Sequence, residues 1–147
     1  MDMEGLGGLI AFLAGWLIAQ TGKLIGEMIK TGRPLKFREV VDCFMRSGGM
    51  PSSHTASFVG LTTYFIVQNG FLANISVLSM CTAAIVIFDA VNVRYAVGEQ
   101  GKLLNVIVND HNYKKKRVRV VEGHTVPQAI IGGIIGIIVG LITGFAF

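Results

Sequence analysis

The stretch Val126–Phe147, VPQAIIGGIIGIIVGLITGFAF, decides the fold. No side chain in it is charged. A helix needs about 20 apolar residues to cross the hydrocarbon core of a bilayer, and this segment meets that length. Gly132, Gly136, Gly140 and Gly144 recur at every fourth position. They share one helical face, along which another helix can approach closely. The seam has two readings. Packing within the chain is the default, and a homodimer through the four glycines is the sharper alternative. Ala11, Gly15 and Ala19 form a similar stripe of small residues near the start of the chain.

Three more apolar segments precede this one, at about 5–25, 55–67 and 72–91. The first and third are long enough to span. The second is short. With Ser52–His54 and Gln68 it reaches about 17 residues, or ~25 Å of helix. The chain has 147 residues, of which 52% are hydrophobic and only 15% charged. That composition belongs to a membrane protein. It predicts one domain, 1–147, folded as an all-α integral membrane bundle of about four transmembrane helices. Met1-Asp2-Met3-Glu4 lacks the basic start of a signal peptide, so the first apolar segment reads as a retained helix. Cys43 lies in a polar loop and Cys81 in an apolar span, at different depths, which argues against a disulfide. No metal-ligand cluster is visible, and no cofactor is implied.

Charge sets the topology. All 13 Lys and Arg fall between Lys23 and Arg119, in or beside two loops at about 26–51 and 92–125. The connection Gln68-Asn69-Gly70-Phe71 is neutral. Four spans place both basic loops on one side, with the termini and the neutral turn on the other. The positive-inside rule makes the basic side cytoplasmic and the termini non-cytoplasmic. The run Lys114-Lys115-Lys116-Arg117-Val118-Arg119 reads first as a solvated topogenic segment. Its functional reading is attraction of anionic lipid, worth ~1 kcal/mol per basic residue near the surface. Glu99–Asn109 is expected as a short amphipathic helix on that surface. His111, in polar sequence, needs no special role. The basic balance is explained by these loops, so nucleic acid is not an expected partner; the lipid bilayer is.

The same topology brings chemistry together. Lys23 is expected at the end of the first helix and His54 at the start of the second. Asp89 and Arg94 end the third, and His124 begins the fourth. Before His54 stands Gly48-Gly49-Met50-Pro51-Ser52-Ser53. The glycines permit close backbone approach to a ligand. Ser52 and Ser53 are natural N-cap residues. Free amides at a helix start favour an anion. Taken alone the motif is equally a capped helix with an incidental histidine. Cations, two histidines and a carboxylate converging on one membrane face point to an anionic head group.

These words together resemble the divergent branch of the type 2 phosphatidic acid phosphatase and vanadium haloperoxidase superfamily. The matching pieces are Ser47-Gly48-Gly49-Met50-Pro51-Ser52-Ser53-His54-Thr55-Ala56, Phe88-Asp89-Ala90 with Val93-Arg94, Gly98-Glu99-Gln100 with Asn105, Gly123-His124-Thr125, and Lys23. The resemblance implies an α-helical bundle that binds phosphate among basic side chains. By it, His124 is the nucleophile and His54 the general acid. Lys23, Arg94 and the amides at Ser52 and Ser53 hold phosphate oxygens. Arg33-Pro34 looks like the superfamily's Arg-Pro word, which makes Arg33 a candidate ligand, although Lys23 lies farther upstream than the usual spacing. Ser53 replaces the glycine of Pro-Ser-Gly-His, and a whole loop separates Arg94 from His124. The acid expected four residues after His124 is Gln128. Asp89 or Glu122 are substitutes for it, and Asp89 has the alternative role of an ion pair with Arg94.

The resemblance implies a membrane hydrolase, a metal-independent phosphatase of an anionic lipid phosphate or diphosphate that works through a phosphohistidine. The competing reading is a non-catalytic membrane protein that keeps the phosphate cradle to bind anionic lipid or a partner. Vanadate-dependent halide oxidation finds little support in the membrane composition.

Overall fold

The computed structural model describes residues 3–45, 48–110, 117, 118, 120 and 123–147. His111, Lys114–Lys116, Arg119 and Glu122 lie outside these residues, and so do the expectations that rest on them. The elements are helices: α1 (Met3–Thr31), α2 (Phe37–Met45), α3 (Ser53–Asn69), α4 (Asn74–Phe88), a π-turn at Asp89–Val93, α5 (Arg94–Asp110) and α6 (Val126–Ala146). Three helical stretches are long and apolar enough to cross a membrane: Gly5–Thr31, Asn74–Asp110 and Val126–Ala146. Two of them run well past the apolar segments that announce them.

Helix α1 continues eight residues beyond Lys23, because nothing interrupts it before Gly32. That residue adopts φ +65° and donates its N–H to the Met28 carbonyl at 3.0 Å, a left-handed C-cap. Lys23 is therefore inside the helix, not at its end. Helix α5 likewise begins at Arg94, ahead of the expected Glu99, and continues α4 through the π-turn.

Helix α3 has 17 residues and sits at the centre, packed against α1, α4 and α6. Its capping is local: Ser52 Oγ accepts from the Thr55 N–H at 3.4 Å and from the Thr55 hydroxyl at 3.0 Å. The glycine face of α6 closes directly on it. A Cβ at Gly132 would strike the Ser52 carbonyl, one at Gly136 the Ala56 carbonyl, and one at Gly140 the Gly60 carbonyl. The α1 stripe does the same from the other side: Ala11 and Ala19 are fully buried, and a Cβ at Gly15 would meet Ala56 O at 2.7 Å. Gln68 Nε2 donates to the Gly144 carbonyl at 2.9 Å and ties the far ends together. The homodimer reading needs the α6 glycine face free, and α3 of the same chain occupies it.

The second apolar segment is short and rich in Ser and Thr because it is the inner helix. Bundles in lipid are held by close backbone packing among small residues, and lipid tails are as apolar as any core. Large apolar side chains point outward instead, among them Leu13, Leu17, Leu78, Ile85, Ile134 and Ile142. Cys43 and Cys81 are both free thiols, in α2 and α4.

Candidate functional site

The ends of the helices that carry the two basic loops meet at one end of the bundle. Lys23, on α1, is 7% exposed, and its Nζ donates to Ser53 Oγ at 3.2 Å. His54 follows in the first turn of α3, on the rim. The π-turn joins α4 to α5 with a five-residue repeat, which stacks Arg94 over Asp89. Arg94 N–H donates to the Asp89 carbonyl, and Arg94 Nε to Asp89 Oδ2 at 2.6 Å. Single π-turns inside α-helices are frequent at functional sites.

His124 arrives from the opposite side, just ahead of α6. Its N–H donates to the Ala90 carbonyl of the π-turn at 3.0 Å. The preceding Gly123 lies against the backbone of Arg94 and Tyr95, where a Cβ has no room. The imidazole is 3% exposed. Its Nδ1 lies 3.1 Å from the Gly49 carbonyl oxygen and 3.4 Å from Gln128 Oε1. Gln128 is also half of a capping box at the start of α6, where its Oε1 accepts from the Thr125 N–H at 3.1 Å. Burial is the main force holding His124 below the ordinary histidine range. The Lys23 ammonium pushes the same way and His54 adds to it, while the bonds to Gln128 and Gly49 oppose them.

Two cavities flank this centre. One, of about 320 Å³, is lined by His54, Asp89, Arg94 and His124, with Phe58, Ile85 and Val86 completing its wall. The other, of about 610 Å³, lies beyond the Gly48–Met50 loop and is lined by Lys23, Lys30, Glu27, Asp42, Gly49 and Gln128, among others.

The structure brings His54, Arg94 and His124 to one hollow. Lys23 lines the neighbouring one instead, with its Nζ on Ser53 Oγ. The Ser52 amide, expected in the phosphate cradle, donates instead to the Gln128 carbonyl at 3.2 Å. Arg33 lines neither cavity. It forms a two-pronged ion pair with Glu39, at 2.6 and 2.9 Å. That guanidinium, helped by the Lys36 N–H, lowers the Glu39 carboxyl to about 2. Asp89 takes the ion-pair role with Arg94, and the acceptors at His124 Nδ1 are Gly49 and Gln128.

Three features escaped the sequence reading. The Gly49 carbonyl has no side-chain signature. The π-turn has no distinctive composition. Asn105 binds Val118 at both its carbonyl and its N–H, at 2.9 and 2.8 Å, and so ties the second basic loop back to α5.

Comparison with known proteins shows the family. The profile of the "Divergent PAP2 family" matches residues 7–139, which take in every site residue named above. The "Uncharacterized membrane protein YuiD" of Bacillus subtilis (strain 168) is 30% identical over 141 residues, covering 86% of each chain. No solved structure matches. With the match extending from α1 through most of α6, the chain is an integral membrane protein that belongs to the divergent PAP2 family.

Proposed function

We propose that this protein is a membrane phosphatase that hydrolyses a lipid phosphate or diphosphate at a cytoplasm-facing site, through a phosphohistidine on His124. The observation that carries the reading is the smaller cavity: His54, Arg94 and His124 share it with Phe58, Ile85 and Val86. A phosphate head group and the first part of an apolar tail need such a divided wall. Its volume of about 320 Å³ is at the small end of ligand pockets.

The neutral His124 ring attacks phosphorus through its Nε2 lone pair. The bond from phosphorus to the lipid oxygen breaks, and its electron pair leaves with that oxygen. Protonated His54 gives the oxygen its proton. Water then attacks the phosphohistidine, the P–N bond breaks, and His54 takes the proton that water sheds. Arg94, paired with Asp89 at the wall of this cavity, offers positive charge to the equatorial oxygens, and the Lys23 ammonium adds to the field from the neighbouring cavity. Such electrostatic stabilisation is the main contribution available to phosphoryl transfer.

Phosphate release by the purified protein from phosphatidate, a polyprenyl diphosphate and p-nitrophenyl phosphate tests the reading. Turnover is expected on a lipid substrate and unaffected by EDTA. His124→Ala is expected to abolish it while binding to anionic vesicles survives. His54→Ala is expected to slow the lipid reaction more than the p-nitrophenyl one, whose leaving group needs less acid. Full activity in His124→Ala refutes the assignment. The second reading, a non-catalytic binder of anionic lipid, is favoured by Gln128 in place of an acid. Vesicle binding with no phosphate released from any substrate would support it.

A further inference from the structure

We propose that the backbone carbonyl of Gly49 is the positioning group of His124. It fixes the ring in the Nδ1–H tautomer and does the work for which the sequence lacks an acid. The inference rests on the phosphatase reading for its consequence, but not for its geometry. A carbonyl oxygen only accepts. Its 3.1 Å contact with Nδ1 is a hydrogen bond only if Nδ1 carries the proton, which leaves the lone pair on Nε2. Gln128 Oε1 is the second acceptor, farther away at 3.4 Å and already engaged by the Thr125 N–H. Its amide can also exchange oxygen for nitrogen by a flip, whereas Gly49 has no such freedom.

The glycine pair exists for this turn. Gly48 has φ +107° and Gly49 φ +81°, in the left-handed region that side chains other than Asn and Asp rarely enter. Space does not demand a glycine at position 49, because a Cβ there would find its first neighbour, Lys23 Cδ, only at 4.0 Å. Conformation demands it. The turn aims the carbonyl at His124 from the side of the larger cavity, which Gly49 and Gln128 line. The ring also lines the smaller cavity with His54 and Arg94, so its Nε2 edge is the one left for a phosphoryl group. A neutral acceptor in place of a carboxylate orients the ring without adding charge to it.

The experiment reads the tautomer directly, in the resting protein, with no substrate present. The detergent-solubilised full chain carries ¹⁵N-imidazole histidine, and His124 is assigned by its loss in His124→Gln. The expected spectrum has a proton on Nδ1 and none on Nε2. An Nε2–H tautomer in the unmodified protein overturns the proposal. Gln128→Met is expected to keep Nδ1–H, because the Gly49 carbonyl remains. Gly49→Asn, which tolerates a left-handed φ, is also expected to keep it. Gly49→Ala, which does not, is expected to yield a mixture of tautomers. If Gln128→Met alone scrambles the tautomer, Gln128 is the positioning group and the proposal fails. Phosphate release is a separate measurement. Gly49→Ala is expected to lower kcat by about 100-fold at similar KM, less than the ~10⁴ seen when a serine protease loses its orienting charge. Absence of phosphate release from every variant sinks the phosphatase reading and leaves the tautomer result standing.

Discussion

The proposed nucleophilic role asks His124 to be neutral, buried and oriented at once, and each demand has a separate origin. Burial and the Lys23 ammonium hold its pKa below the ordinary value, which is ~6.5. The unfolded chain therefore takes up a proton there at a higher pH than the native one. Stability from this group is complete above ~6.5 and is lost as pH falls through the lower folded value. Thermal melts in detergent are expected to show a fall in Tm on acidification below 6.5 that is shallower in His124→Asn. If the proposed phosphatase reaction runs, the same shift is expected to place the acid limb of kcat/KM below ~6.5. Gln128→Glu sets a carboxylate against Nδ1 and is expected to raise the His124 pKa by about 1 unit or more. The acid limb should move up accordingly, with a faster single turnover at the optimum. A limb that stays fixed in Gln128→Glu would separate position 128 from the titrating group. The side chains of this site were legible because histidine and arginine carry their chemistry in their names. The carbonyl of Gly49 and the committed amide of Ser52 were not. Backbone groups are the same at every position, and only the turn decides where they point.

Among the elements, α3 was legible in length but not in place. Its 17 residues match the short apolar segment, yet the shortness reads as uncertainty about spanning until the glycines of α6 and the small stripe of α1 are seen to close on it. The end of α1 was misplaced for a related reason. A lysine after an apolar run looks like an interfacial terminus, but a long side chain can be buried inside a bundle when a hydroxyl such as Ser53 meets it. Two neighbouring glycines of α6 test the packing. At Gly136 a new Cβ would sit 2.7 Å from Ala56 O, 2.8 Å from Val59 Cβ and 2.9 Å from Gly60 N. Two of these are backbone atoms that cannot turn aside. Gly136→Ala is expected to cost about 1–3 kcal/mol, seen as a lower Tm in detergent. At Gly133 the nearest atom is Thr55 Cγ2, at 3.9 Å. Gly133→Ala is expected to stabilise by up to ~1 kcal/mol through helix propensity alone. Equal shifts in the two variants would mean that the α3–α6 seam is looser than these distances.

At the scale of the molecule, both basic loops belong to the end of the bundle that holds the histidines. The proposed orientation, with positive charge retained in the cytoplasm, has that end facing inward. Lys115→Cys in a Cys43→Ser, Cys81→Ser background is expected to resist impermeant thiol reagents in intact cells and to react after permeabilisation. Labelling from outside alone would reverse the orientation and move the proposed chemistry to the other leaflet. The central place of α3 has a consequence for how the chain is made. Its inner faces are finished by α1, which leaves the ribosome before it, and by α6, which leaves after it. Carrying the buried hydroxyls of Ser53, Ser57 and Thr62, α3 is poorly suited to wait alone in lipid while synthesis continues. Maturation is therefore a closing event: the histidine-bearing helix start becomes complete only when the twenty or so residues of α6 have entered the bilayer, and a nascent protein stalled before α6 has no seam and no such hollow.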